Sequence, residues 1–266
     1  MNTKSISFYL SLFCFPISIL SFINILYSSY FDYFLNVEGY FTSLIVSFVS
    51  GVTLYFLGKN SNKKLTFYEQ IILIILTYIL ISVLVAIPYF LSIYQISFID
   101  SLFESFSGLT VTGFSIFNNI KQIDPALLLW RSSSQWIGGL FFFIFLIVLF
   151  SNKQFSFKLN NLTFSGDVNN TESSIKDNIL KIAVCYSIVS VVIFFLLIFA
   201  EIRLFNSLNL SMSLVSTGGF LPTNSLSQII YNPKQELFLI ICLLISSLNL
   251  FFFFNLFNFK KLHNYH

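Results

Sequence analysis

Two short runs hold the residue types needed to handle a small cation. They read Thr110-Val111-Thr112-Gly113-Phe114 and Ser216-Thr217-Gly218-Gly219-Phe220. Removing the water shell of a monovalent cation requires several replacement oxygens, and backbone carbonyls in an extended strand supply them. Successive carbonyls point the same way only with unusual backbone angles, which glycine permits. Small Thr and Ser side chains let such strands approach one another and add hydroxyl oxygens. Irregular backbone at membrane depth is tolerated where protein buries it or where it lines a watery cavity. Taken alone, each run also fits an ordinary turn. Position and repetition carry the argument.

Each run follows a short apolar stretch, 101–109 and 206–215. A membrane crossing takes about 20 apolar residues, so stretches of this length read as re-entrant pieces. The tetrad Ser101-Leu102-Phe103-Glu104 has a capping-box pattern at the start of the first. Asp100 adds negative charge at the positive end of the dipole. Asn206 or Ser207 is the cap expected in the second. The opposite end of each helix, with its partial negative charge, enters the glycine turn and favours a cation there.

The two units align at an offset of 106 residues, pairing Ser101 with Ser207, Leu102 with Leu208, Ser105 with Ser211, Ser107 with Ser213, Gly113 with Gly219 and Phe114 with Phe220. Beyond each lies a polar residue and a proline, Asp124-Pro125 and Asn232-Pro233, at the start of an apolar run. Proline suits that first-turn position. Each unit therefore reads as span, short helix, glycine turn, span. Internal repeats of this kind mark transport proteins.

Composition sets the solvent. Of 266 residues, 56% are hydrophobic and 9% charged, whereas a soluble domain carries about a quarter charged residues. Disorder needs the opposite balance. Lipid is the expected surroundings. Six segments are long and apolar enough to cross: 6–27, 40–57, 68–91, 126–150, 178–200 and 236–257. The first has no small-residue cleavage pattern after it and reads as a retained helix. With both termini on one side, ten Lys residues fall on that side and four basic residues on the other. The positive-inside rule then places both termini in the cytoplasm and the glycine turns on the outer side. The expected order is an N-terminal helix pair (1–60), a first pore repeat (66–151), a cytoplasmic linker (152–177), a second pore repeat (178–258) and a cytoplasmic tail (259–266).

The remaining polar residues have plainer readings. Arg131, near the outer end of a span, is expected to snorkel to the interface. Glu104 and Asp124 are placed to lend negative potential to the outer mouth, with helix capping the simpler account for Glu104. Gly138-Gly139 reads as helix packing. Asn249 either packs or lines a cavity, with packing favoured. Cys14, Cys185 and Cys242 sit in apolar runs as packing residues, and His263 and His266 in a terminal tail. The spans contain no metal-ligand spacing, nucleophile–base set or nucleotide loop, so an enzyme is not expected. An unrelated secondary transporter should show ionisable groups at the midplane, and none stands out.

The run SLFESFSGLTVTGFSIFNNIKQIDPALLLWRSSSQWIGGL resembles the first pore repeat of TrkH-type potassium uptake proteins, in the Trk/Ktr/HKT superfamily. The runs LFNSLNLSMSLVSTGGF and NPKQELFLIICLLISSLNL resemble the second repeat, and the leading spans resemble that family's extra helix pair. The resemblance implies an all-α, potassium-channel-like fold whose filter takes one loop from each of four repeats. It places filter roles on Thr110, Val111, Thr112 and Gly113, and on Ser216, Thr217, Gly218 and Gly219. The family's first loop usually reads T-T-T-G, from which Val111 departs. Potassium is the implied cargo, with no cofactor. The implied setting is the bacterial inner membrane. The implied partners are the lipid bilayer and a cytosolic nucleotide-binding regulator of TrkA type, with no nucleic acid. Two loops cannot surround an ion. A second membrane half, from another chain or a second copy, is expected, unless the chain is a fragment of a longer one. A half encoded elsewhere or a truncated product is favoured over a pore of two copies, and a non-conducting accessory subunit is the alternative.

Overall fold

Long apolar runs must satisfy their backbone internally in lipid, and helices do this. The computed structural model describes residues 2–61, 65–150 and 171–247, and among them every regular element is helical. The order is α1 (Thr3–Tyr30), α2 (Val37–Gly58), α3 (Phe67–Phe90), α4 (Phe98–Leu109), α5 (Pro125–Phe150), α6 (Thr171–Phe199), α7 (Leu204–Val215) and α8 (Pro233–Ser247). Three-residue 3-10 turns stand at Phe34–Asn36, Ile120–Gln122 and Leu226–Gln228.

Five of these elements are long and apolar enough to cross a membrane: α1, α2 with the turn before it, α3, α5 and α6. Their outward faces carry bare Ile19, Phe22, Phe48, Ile75, Val191 and Phe195. Water would penalise such surfaces, and lipid does not. The expected sixth span, 236–257, runs past the described residues. Its first part is α8, and Asn249 lies outside the described residues. So do 151–170, most of the expected linker. The helix after it begins at Thr171, earlier than the expected 178.

Thr66 and Glu69 start α3 with a reciprocal capping box. The Thr66 amide donates to Glu69 Oε2 at 2.9 Å. The Glu69 amide donates to Thr66 Oγ1 at 3.4 Å. The first unit packs α1, α3 and α5 around Phe13, Ile81, Val85, Trp130, Phe141 and Phe145. The Phe13 and Phe141 rings meet edge to face at 4.9 Å. The second unit packs α6, α7 and α8 on α5 through Tyr186, Ile193, Leu210 and Cys242. Cys14, Cys185 and Cys242 are all buried and unbridged. Helix α5 thus borders both cores, and both α4 and α7 pack against it.

The repeat is written into the element boundaries. Both short helices, α4 and α7, begin and end 106 residues apart, at 98 and 204 and at 109 and 215. The later 3-10 turns, starting at 120 and 226, keep the same offset. It becomes 108 only at the prolines opening α5 and α8.

Candidate filter loops

The C-termini of α4 and α7 turn into the two loops with the same backbone chemistry. The Thr110 amide bonds the Phe106 carbonyl at 2.9 Å, and the Ser216 amide bonds that of Met212 at 3.2 Å. The Val111 amide bonds Gly108 O at 3.0 Å, and the Thr217 amide bonds Leu214 O at 2.9 Å. The Thr112 amide bonds Ser107 O at 3.0 Å, and the Gly218 amide bonds Ser213 O at 2.8 Å. All three pairs keep the 106 offset. Val111 and Thr217 share a left-handed backbone, with φ of 60° and 57°. That conformation is unusual for β-branched residues. Gln95 and Glu201, just before the short helices, form another such pair, at 50° and 63°.

The loops present oxygen and touch each other. Thr110, Thr112, Thr217 and Gly219 are exposed, whereas Ser216 is buried. The Thr110 and Thr112 hydroxyls are 3.1 Å apart. Gly113 has φ +79°, and a Cβ built on it would stand 2.6 Å from Gly219 Cα. The two loops therefore meet backbone to backbone, and no side chain fits at Gly113. Gly218 is tight for another reason: a Cβ there would overlap the Gln135 carboxamide. A cavity of about 250 Å³ is lined by Thr110, Val111, Ser216, Thr217 and the Phe142 and Phe143 side of α5. The helix C-termini aim their negative dipole ends at this region.

The side chains supporting the loops differ from the sequence expectation. Ser101 and Glu104 form no capping box. The short helix starts earlier, at Phe98, and Ser97 caps it by accepting from the Asp100 amide at 3.1 Å. Glu104 is instead fully buried, and its Oε1 accepts from Arg131 Nε at 2.7 Å. A carboxylate neutralised in this way lends little potential to an outer mouth. Arg131 does not snorkel, since it is 1% exposed. Its guanidinium lies 4.3 Å over the Phe220 ring and 5.4 Å over that of Phe117. The pair satisfies both charges inside protein, which removes the drive toward the interface.

Neither Asn206 nor Ser207 caps α7. Arg203 occupies the cap position without a side-chain bond, and Ser207 donates to the Ile202 carbonyl. Asp124 sits before Pro125 at the start of α5, buried and accepting from Asn36 Nδ2 at 3.4 Å. Gly138 and Gly139 are close-approach positions. A Cβ on Gly138 would overlap the Leu109 carbonyl, and one on Gly139 would reach 2.6 Å from the Tyr186 hydroxyl.

Sequence reasoning passed over Gln135, which is fully buried and accepts from the Phe220 amide at 3.2 Å. Its one usable signal was spacing, because Arg131 and Gln135 share a helix face. No group of three or more His, Cys, Asp or Glu residues that could hold a metal occurs among the described residues.

Five helices long and apolar enough to cross a membrane, with two short helices each ending in a loop of the same backbone geometry, define an all-helical integral membrane protein built on an internal repeat. The family model for TrkH, described as a cation transport protein, matches residues 38–266, and the chain belongs to that family. It is 28% identical over 168 residues to an uncharacterised cation transporter of Methanocaldococcus jannaschii, covering 61% of this chain and 34% of that one. It is 33% identical over 102 residues to the Trk system potassium uptake protein TrkG of Escherichia coli, 38% and 21% of the two chains. To the TrkH of Salmonella typhimurium it is 23% identical, covering 84% of this chain and 47% of that one. The crystal structure of the potassium transporter TrkH from Vibrio parahaemolyticus shares the fold, with a TM-score of 0.81 and 19% identity, over 99% of this chain and 54% of that one. The chain thus spans about half the length, or less, of the relatives it matches.

Proposed function

We propose that this chain forms two of the four walls of a potassium-conducting pore. In this reading, cations are dehydrated by oxygens of Thr110, Val111, Thr112 and Gly113, and of Ser216, Thr217, Gly218 and Gly219. The observation that carries it is the shared backbone geometry of the two loops, with contact at Gly113 and Gly219 and open faces at Thr110, Thr112 and Thr217. Two walls leave an ion uncovered on one side, so a second membrane half completes the pore, as another chain or a second copy. The regulator in this reading is a cytosolic nucleotide-binding protein of TrkA type, the membrane is the bacterial inner membrane, and both termini lie in the cytoplasm. Conduction involves no chemical turnover, so the protein is not an enzyme.

The test is rubidium uptake into proteoliposomes, with the chain alone, as two linked copies, and with a cognate half carrying two more glycine-turn repeats. Uptake is expected only where four loops are present, and potassium should compete with it. Absence of uptake in every arrangement, with assembly shown by cross-linking, would overturn the reading in favour of a non-conducting subunit.

A further inference from the structure

One buried cluster grips both loops at once. Glu104 comes from α4, and Arg131 and Gln135 come from α5, one turn apart. Glu104 Oε2 accepts from the Ile116 amide at 2.9 Å, and its Oε1 accepts from the Ser115 hydroxyl at 3.1 Å. These bonds fix the segment leaving the first loop. Arg131 Nη2 donates to Ser115 Oγ at 3.0 Å on that same side. Its Nη1 points the other way and donates to the Leu221 carbonyl at 3.5 Å, while the guanidinium covers the Phe220 ring. Gln135 Oε1 holds the Phe220 amide, and its carboxamide fills the space beneath Gly218.

Stability alone does not account for such a cluster, since well-packed apolar groups often replace a buried ion pair at no loss. Geometry does. Arginine presents donors in a rigid planar fork, so bonds on its two edges are fixed relative to each other. Here one edge meets the first loop and the other meets the second. Sites that discriminate by spacing need their supports held to within about 0.5 Å.

We propose that Glu104 and Arg131, with Gln135, are positioning residues that set the two loops in register against each other and thereby set cation selectivity. This rests on the reading of the loops as cation-binding, but its mechanical half is testable without flux. Hydrogen exchange is measured on the purified full chain. Glu104→Gln should raise exchange by about tenfold in peptides covering 112–117 and equally in those covering 218–222, which Glu104 does not touch. Helices α1 and α2 should be unchanged. Phe220→Leu, which removes the ring beneath the guanidinium, should act in the reverse direction and loosen 114–117. It decides the matter if Glu104→Gln does not fold.

In proteoliposomes containing the completed pore, the rubidium-to-sodium uptake ratio of Glu104→Gln should fall by about tenfold per assembled protein. Exchange confined to the mutated loop would overturn the cross-loop coupling. A ratio within about twofold of the parent, with both loops loosened, would overturn the link to selectivity. A parent protein that moves no rubidium would overturn the pore reading instead, while exchange would still decide the coupling.

Discussion

Gly113 lies so close to Gly219 that a methyl group on it would come 2.6 Å from the Gly219 Cα. The converse does not hold: a methyl on Gly219 would find its nearest neighbour at 3.4 Å, an ordinary contact. Gly113 also needs φ +79°, whereas Gly219 has no positive φ. Gly113→Ala should therefore cost about 1–2 kcal/mol in backbone strain, with overlap added. It should abolish rubidium uptake, while Gly219→Ala keeps a measurable part of it. Uptake normalised to membrane-inserted protein checks the asymmetry. Equal loss in both variants would mean that shared symmetry, not local room, governs the loops.

Glu104 and Arg131 are buried as a pair, so removing one strands the other. Arg131→Met should destabilise by about 3–5 kcal/mol, the usual cost of a buried charge left alone. The double variant Glu104→Gln/Arg131→Met should recover most of that loss. Thermal unfolding in detergent, read as a double-mutant cycle, gives the coupling. Additive losses would show that the two side chains act separately.

These positions also mark how far the sequence could be read. Span length and the glycine turns made the membrane helices and both short helices legible. The offset found from six matched letters recurs in helix ends, turns and hydrogen bonds. The tetrad pattern for a capping box was less informative. It occurs at Thr66–Glu69, where the box forms, and at Ser101–Glu104, where it does not. Local spacing could not reveal that Glu104 has a stronger partner in Arg131, 27 residues away on another helix. The same ignorance of tertiary partners sent Arg131 to the interface and left Gln135 unnoticed.

Asp124 has a pH signature. Burial pushes its carboxyl above the ordinary range, while Asn36 and the Ala126 and Leu127 amides pull the other way. A raised folded pKa means that the folded chain binds the proton more tightly than the unfolded one. Stability from this group is greatest at acid pH and declines as pH rises from the ordinary carboxylate value to the folded one. Asp124→Asn keeps a good cap without the charge. Its melting temperature relative to the parent should rise across that window and stay higher at neutral pH. Asp124→Ala should fall below both at neutral pH, by about 0.5–2 kcal/mol for the lost cap. A parent-to-Asn difference that does not change with pH would remove Asp124 as the titrating group.

Gly138 tests whether the glycine pair in α5 serves packing. A Cβ there would overlap the Leu109 carbonyl, at the point where α4 hands over to the first loop. Backbone cannot swing aside as a side chain does, so Gly138→Ala has to displace the end of α4. Gly51 in α2 offers a control, since a Cβ there meets only side-chain atoms, of Phe15 and Cys14, at 3.2 and 3.3 Å. Gly138→Ala should cost about 1–3 kcal/mol as overpacking and reduce rubidium uptake, because α4 carries Thr110 into the loop. Gly51→Ala should cost less than Gly138→Ala and leave uptake intact. If Gly138→Ala raised uptake at unchanged stability, the pair would be acting as a gate, and the close contact with Leu109 would be where it closes.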